Sequence, residues 1–173
     1  MSDTLITVIA IALAAVLMFV FPLMTMSDRT DDVSQLAVET ATTDFVDEVR
    51  TTGKITPDKY SKFIESIGST GNTYNVEMQI QVLDENPGKK TTQTTKDKIG
   101  ENVYYSIYTT QIQDVLNSNN TYKLKEGDIF SVNVKNTNQT LAQQLKNFFY
   151  TVVGNDTYTI AASHGGMVTA TGK

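Results

Sequence analysis

The stretch LITVIAIALAAVLMFVFPLMTM, Leu5 to Met26, decides how the rest of the chain is read: 22 consecutive residues carry no charge. As helix, at 1.5 Å per residue, it is about 33 Å long, roughly the hydrocarbon thickness of a bilayer. An unbroken apolar run of that length exceeds what a core helix of a globular protein needs. The opening Met1-Ser2-Asp3 has none of the Lys or Arg that a cleaved secretory signal places before its apolar core. Residues 1–26 are therefore expected to form a membrane-spanning helix. Pro22 lies about one turn before the end of the run, where the missing N–H predicts a bend. Ala10, Ala12, Ala14 and Ala15 give small surfaces on which a second helix can approach closely, exchanging lipid contacts for helix contacts.

Working outward, the 173-residue chain leaves about 145 residues behind the apolar run, enough for one domain with its own core, residues 27–173. Lys and Arg number 14 against 19 Asp and Glu, a net charge of −5. Nucleic-acid binding needs clustered cations, so that class of partner is not expected. The absence of cysteine removes disulfides, thiolate metal sites and cysteine nucleophiles together. The polar, weakly charged surface, rich in Thr and Asn, suits an exported protein, with the bulk of the chain outside the cytoplasm.

An acidic break at Ser27–Asp32 is expected to end the first helix, with Asp31 or Asp32 capping a second over Val33–Arg50. That helix has Val38, Ala41, Phe45 and Val49 on one face and Asp44, Asp47 and Glu48 on the solvated one, and Gly53 stops it. Thr56-Pro57-Asp58 opens a further helix with the stripe Tyr60, Phe63, Ile64 and Ile67. Tyr74, Val76, Met78, Ile80 and Val82 alternate with polar residues as a half-buried antiparallel strand.

Residues Asp84–Gly100 lack apolar periodicity and hold Lys89, Lys90, Lys96 and Lys98, which makes them a solvated linker or a contact loop for a partner or for lipid headgroups. Asn102–Asn117 reads as helix, although its tyrosine content suits a strand equally. Gly127-Asp128 turns into a strand over Ile129–Lys135. Asn138 or Thr140 caps a helix with the stripe Leu141, Leu145, Phe148 and Val152. Tyr158, Ile160 and Ala162 begin a last strand that continues past Gly165-Gly166 or pairs back as a hairpin. The fold class is α+β: a long N-terminal hydrophobic helix, then a small antiparallel sheet of three or four strands with helices packed on one side.

No catalytic constellation emerges. His164 is the one histidine, and its neighbour Ser163 would point to the opposite face of a strand, so the two cannot easily act as base and nucleophile. One imidazole cannot make a His-rich zinc site, the D-x-D-x-D-G pattern of hard-cation loops is missing, and no glycine turn has phosphate-loop spacing. Neither an enzyme nor a cofactor is expected.

A hydrophobic N-terminal helix (Leu5–Met26, with Pro22 inside) leading into an amphipathic one (Val33–Val49) and a small antiparallel sheet resembles the pilin and pseudopilin design, closest to the small pilin-like components of tight-adherence pilus systems. That resemblance implies a helix that waits in the membrane before packing against its neighbours in a filament core, with Asp3 standing in for the subunit-registering charge. The glutamate expected as the fifth residue of a mature pilin is Leu5 here, and a membrane-anchored minor component fits better than a major pilin. Implied partners are further copies of this chain, other pilus or secretion components, and membrane lipid. The competing expectation is a monomeric anchored accessory or binding domain of a secretion or conjugation machine, which would use the Asp84–Gly100 loop as its contact.

Overall fold

The computed structural model describes residues 2–83, 104–144 and 159–173. Its first element is one α-helix, α1, running without interruption from Ser2 to Thr52. Then follow β1 (Lys54–Ile55), α2 (Pro57–Gly68), β2 (Tyr74–Leu83), β3 (Tyr104–Tyr108), α3 (Thr109–Asn117), β4 (Tyr122–Lys123), β5 (Ile129–Asn136) and β6 (Ala161–Met167). The fold is α+β, with a four-stranded antiparallel sheet in the order β3-β2-β5-β6 and a two-stranded antiparallel ribbon of β1 and β4.

The expected break at Ser27–Asp32 does not occur. Between Pro22 and Gly53 the sequence has neither glycine nor proline, and the residues read as a break satisfy themselves within the helix. The Thr30 hydroxyl donates to the Met26 carbonyl (3.1 Å) and the Ser34 hydroxyl to that of Thr30 (2.9 Å). Asp31, expected as a cap, instead turns inward: it is buried, and its carboxylate accepts from the Thr140 hydroxyl at 2.7 Å. The helix also continues through Pro22. The boundary drawn at residue 26 therefore falls inside a single rod, about 77 Å long at 1.5 Å per residue. It ends where expected, at Gly53, whose φ of +64° is the left-handed conformation that terminates helices and whose N–H bonds Val49.

One face of the four-stranded sheet carries the core. Val76, Met78 and Ile80 of β2, Phe130, Val132 and Val134 of β5 and Ala162 of β6 are buried there with Ile160 and Val168. They pack against Val38, Phe45, Val46 and Val49 of α1, Phe63 and Ile67 of α2, and Ile112 and Leu116 of α3. Phe45 sits at the centre, stacked on Phe63 (ring centroids 4.5 Å) and edge-on to Phe130 (6.0 Å). Of the expected α2 stripe, Ile64 is exposed; Thr56 caps that helix through the Lys59 N–H, with Pro57 at its start. The opposite sheet face presents Asn75, Glu77, Gln79, Ser131, Asn133 and Lys135, the polar half of the alternation.

Asn102–Asn117 is not one helix. Tyr104–Tyr108 pairs with Gln79–Leu83 of β2, and only Thr109–Asn117 is helical. Pairing with a formed strand satisfies the backbone of this aromatic segment and outweighs its helical spacing. Thr109 marks the switch, its hydroxyl bonding both the N–H (2.7 Å) and the carbonyl (3.2 Å) of Met78. Thr140 does cap a turn at Leu141–Gln144, and Gln143 returns a bond to the Thr140 N–H. Leu141, however, is exposed, while Ala142 and Gln143 are buried. Leu145, Phe148 and Val152 lie outside the described residues, as does Tyr158.

β6 runs straight through Gly165-Gly166, with no hairpin there. Beyond it the chain is tied to the end of α1: Thr169 N–H donates to the Arg50 carbonyl, Val168 N–H to Asp128 and Gly172 N–H to Leu124. The outer edge of β6 is closed at both ends by α1. The Gln35 amide bonds both the N–H (3.0 Å) and the carbonyl (2.7 Å) of Ala161, and Arg50 Nε donates to the Met167 carbonyl (2.9 Å). Such side-chain plugs deny that edge to another strand.

Candidate functional site: the exposed surface of the long helix

Only the second half of α1 belongs to the core. From Leu5 to Met26 the helix leaves the head and exposes apolar side chains all round, Met18 at 77% and Phe19 at 73% exposure among them. This is the one segment among the described residues long and apolar enough to cross a membrane. Its few hydroxyls are satisfied internally: Thr7 donates to the Asp3 carbonyl (2.7 Å) and Thr25 to that of Phe21 (3.0 Å). Polar side chains that bond their own helix can enter hydrocarbon or a helix interface at little cost.

The residues singled out in this segment all lie on that exposed surface. Asp3, Ala10, Ala14 and Pro22 are each solvent-facing. At 3.6 residues per turn, Asp3, Thr7, Ala10 and Ala14 share one side of the rod, at spacings of four, three and four. Pro22 lies on a different side, in line with Arg29 and Thr40. Lys89, Lys90, Lys96 and Lys98 lie outside the described residues.

Beyond the apolar run, two more large apolar side chains of α1 are exposed. Val33 and Leu36 are 69% and 65% exposed, although they belong to the half of α1 that carries the core. With Met26, Arg29 and Thr40 they form a stripe on the side of α1 facing away from the sheet, opposite Val38, Phe45 and Val49. Segment-by-segment reading misses this stripe, because the two halves of α1 are treated as separate helices. Continuing the period unbroken from Met26 to Thr40 would have found it.

Where the head meets the exposed helix, Asp31, Thr140 and Gln143 form a buried polar cluster beside an open hollow of about 360 Å³ lined by Ser27, Thr30, Asn72, Asn138 and Gln144 among others. The cluster joins the rod to the head where the exposed half of α1 begins. Near the other end of α1, Asp47 lies 2.7 Å from Arg50 and 3.4 Å from His164 Nε2. Gly166 makes room for this group: a Cβ there would stand 2.7 Å from the Arg50 guanidinium carbon. His164 thus faces α1, while Ser163, next along the strand, projects toward the outer sheet face with Glu77, Ser131 and Asn133. Asp44 is exposed and Glu48 pairs with Lys59 at 2.9 Å, so the three acidic residues of this helix face do not converge. Among the described residues no group of three or more His, Asp or Glu is arranged to hold a metal ion.

No protein-family model matches the chain, and neither a curated protein nor a solved structure matches it. A long apolar N-terminal helix, compatible with a membrane anchor, on a small α+β head is what the molecule itself provides.

Proposed function

We propose that this protein is a membrane-anchored structural subunit, or minor component, of a pilus-like surface or secretion apparatus, that it works by self-association through α1, and that it is not an enzyme. The observation that carries this reading is the unbroken 51-residue helix. One half is the spine of the head's core, and the other exposes its apolar side chains. A flexible tether would serve a simple anchor as well. A helical continuation, with Val33 and Leu36 also exposed beyond Arg29, suits a rod whose sides are buried by other rods.

In this reading the Leu5–Met26 segment resides in the bilayer before assembly and exchanges lipid for helix contacts during it. Ala10 and Ala14 admit the neighbouring helix, and the head is displayed outside the cytoplasm. The resemblance to pilin-like proteins rests on this same arrangement of rod and head.

The test is crosslinking of the full-length protein in membranes, with Ala10→Leu and Ala14→Leu variants alongside. A ladder of multimers in the parent, lost in the variants while the head stays folded, supports assembly through α1. A single monomer band in the parent contradicts it and favours the anchored accessory domain.

A further inference from the structure

We infer that the face Arg29–Val33–Leu36–Thr40 of α1 is the docking site for the face Asp3–Thr7–Ala10–Ala14 of a second copy of the same chain, the two rods lying parallel and offset by 26 residues. The inference rests on the self-association proposed above and specifies its geometry.

Val33 and Leu36 are exposed apolar side chains that lie beyond the reach of a bilayer spanned by Leu5–Met26. They lie 7 and 10 residues beyond Met26, about 10 and 15 Å further along the axis. A polar headgroup layer is only about 5–8 Å deep on each side of the hydrocarbon. Among the described residues the head leaves them exposed, since they point away from the core.

The sequence holds a matching surface. Both faces follow the spacing four, three, four, so an offset of 26 residues aligns them position by position: Asp3 with Arg29, Thr7 with Val33, Ala10 with Leu36, Ala14 with Thr40. Small Ala10 meets large Leu36, which lets the rods approach closely. Asp3 is the only acidic residue before Asp28, and Arg29 the only basic residue before Arg50. An ion pair between them sits next to apolar surface, where it is less screened than in open water. An in-register pair of stripes would instead set Arg29 against Arg29.

Twenty-six residues correspond to an axial step of about 39 Å. The two faces lie about 80° apart around the helix at 3.6 residues per turn, so they are different surfaces and the contact is head-to-tail. Such a contact leaves one face open at each end and propagates rather than closing into a dimer. It also requires the second copy's apolar segment to have moved along the axis relative to the first. The offset pair is therefore an assembled state, distinct from two anchors side by side in one bilayer.

The chain has no cysteine, so introduced thiols report without background. Full-length Thr7→Cys and Val33→Cys, differently tagged and co-produced, are expected to form a mixed disulfide under mild oxidation, with at least a tenfold excess over either homodisulfide. Asp3→Arg and Arg29→Asp should each reduce that yield severalfold, and the pair of variants mixed together should restore it. A homodisulfide of Val33→Cys alone would overturn the offset while leaving self-association standing. No disulfide in any combination, together with a monomer in chemical crosslinking, would overturn both. No disulfide despite a crosslinked ladder would overturn this interface alone. All four positions are exposed, so a folding failure of the variants is not expected and is checked by the circular dichroism of the head.

Discussion

Replacing Thr140 by valine tests whether the head is locked to the rod at the Asp31 turn of α1. The hydroxyl makes two bonds that valine cannot: it donates to the buried Asp31 carboxylate at 2.7 Å and accepts from the Gln143 N–H at 3.2 Å. A hydrogen bond to a charged group contributes about 1.5–3 kcal/mol, and loss of an N-terminal cap costs about 1 kcal/mol. The two share one atom and will not add fully, so a loss of about 2–3 kcal/mol is expected. At a urea slope of about 2 kcal/mol/M this lowers the unfolding midpoint by roughly 1–1.5 M. The assay is urea denaturation of a truncation starting at Asp28, followed by far-UV circular dichroism, with Thr140→Ser as the control that keeps the hydroxyl. A drop below about 0.3 M for Thr140→Val, or equal drops for valine and serine, would refute the argument that this hydroxyl joins α1 to the head.

Other positions give sharper or milder outcomes. Phe45→Ala removes the ring stacked on Phe63 and edge-on to Phe130, and should cost about 3–5 kcal/mol in the same urea experiment. Gly53→Ala combines a φ of +64° with a Cβ placed against the backbone of Ala170 and Gly172; a loss of about 3 kcal/mol or more is expected, with raised hydrogen exchange at Thr169 and Gly172. Gly166→Ala meets only the movable end of Arg50, so about 1 kcal/mol is expected. Burial, then the charges of Tyr105 and Asp128, hold the Tyr122 hydroxyl above its ordinary value of 10.0. The folded state therefore keeps this proton after the unfolded chain has lost it. Its stabilisation is complete below pH 10 and is lost as pH rises through the folded value, so Tyr122→Phe should flatten the alkaline limb of the stability profile.

Much of this architecture is legible in the residues. The alternation of Tyr74–Val82, the Thr56-Pro57 start of α2, Gly53 as a stop and the Val38, Phe45 and Val49 face all occur as read, because each rests on a local rule that tertiary contacts reinforce. What local rules miss is partner-dependent. Asp31 looks like a cap because its partner, Thr140, lies 109 residues away. Tyr104–Tyr108 looks helical until β2 is present to pair with it. For the candidate site, the apolar run and its small residues are plain in the sequence, whereas nothing local marks Val33 and Leu36 as exposed. Only an uninterrupted helix shows that they share a side with Met26 and face away from the core.

The most direct test of the account is electron microscopy of full-length protein released from membranes beside the truncation starting at Asp28. Filaments or regular multimers from the full-length chain, with a monomeric truncation, are the predicted result. Monomers from both would contradict self-association through α1.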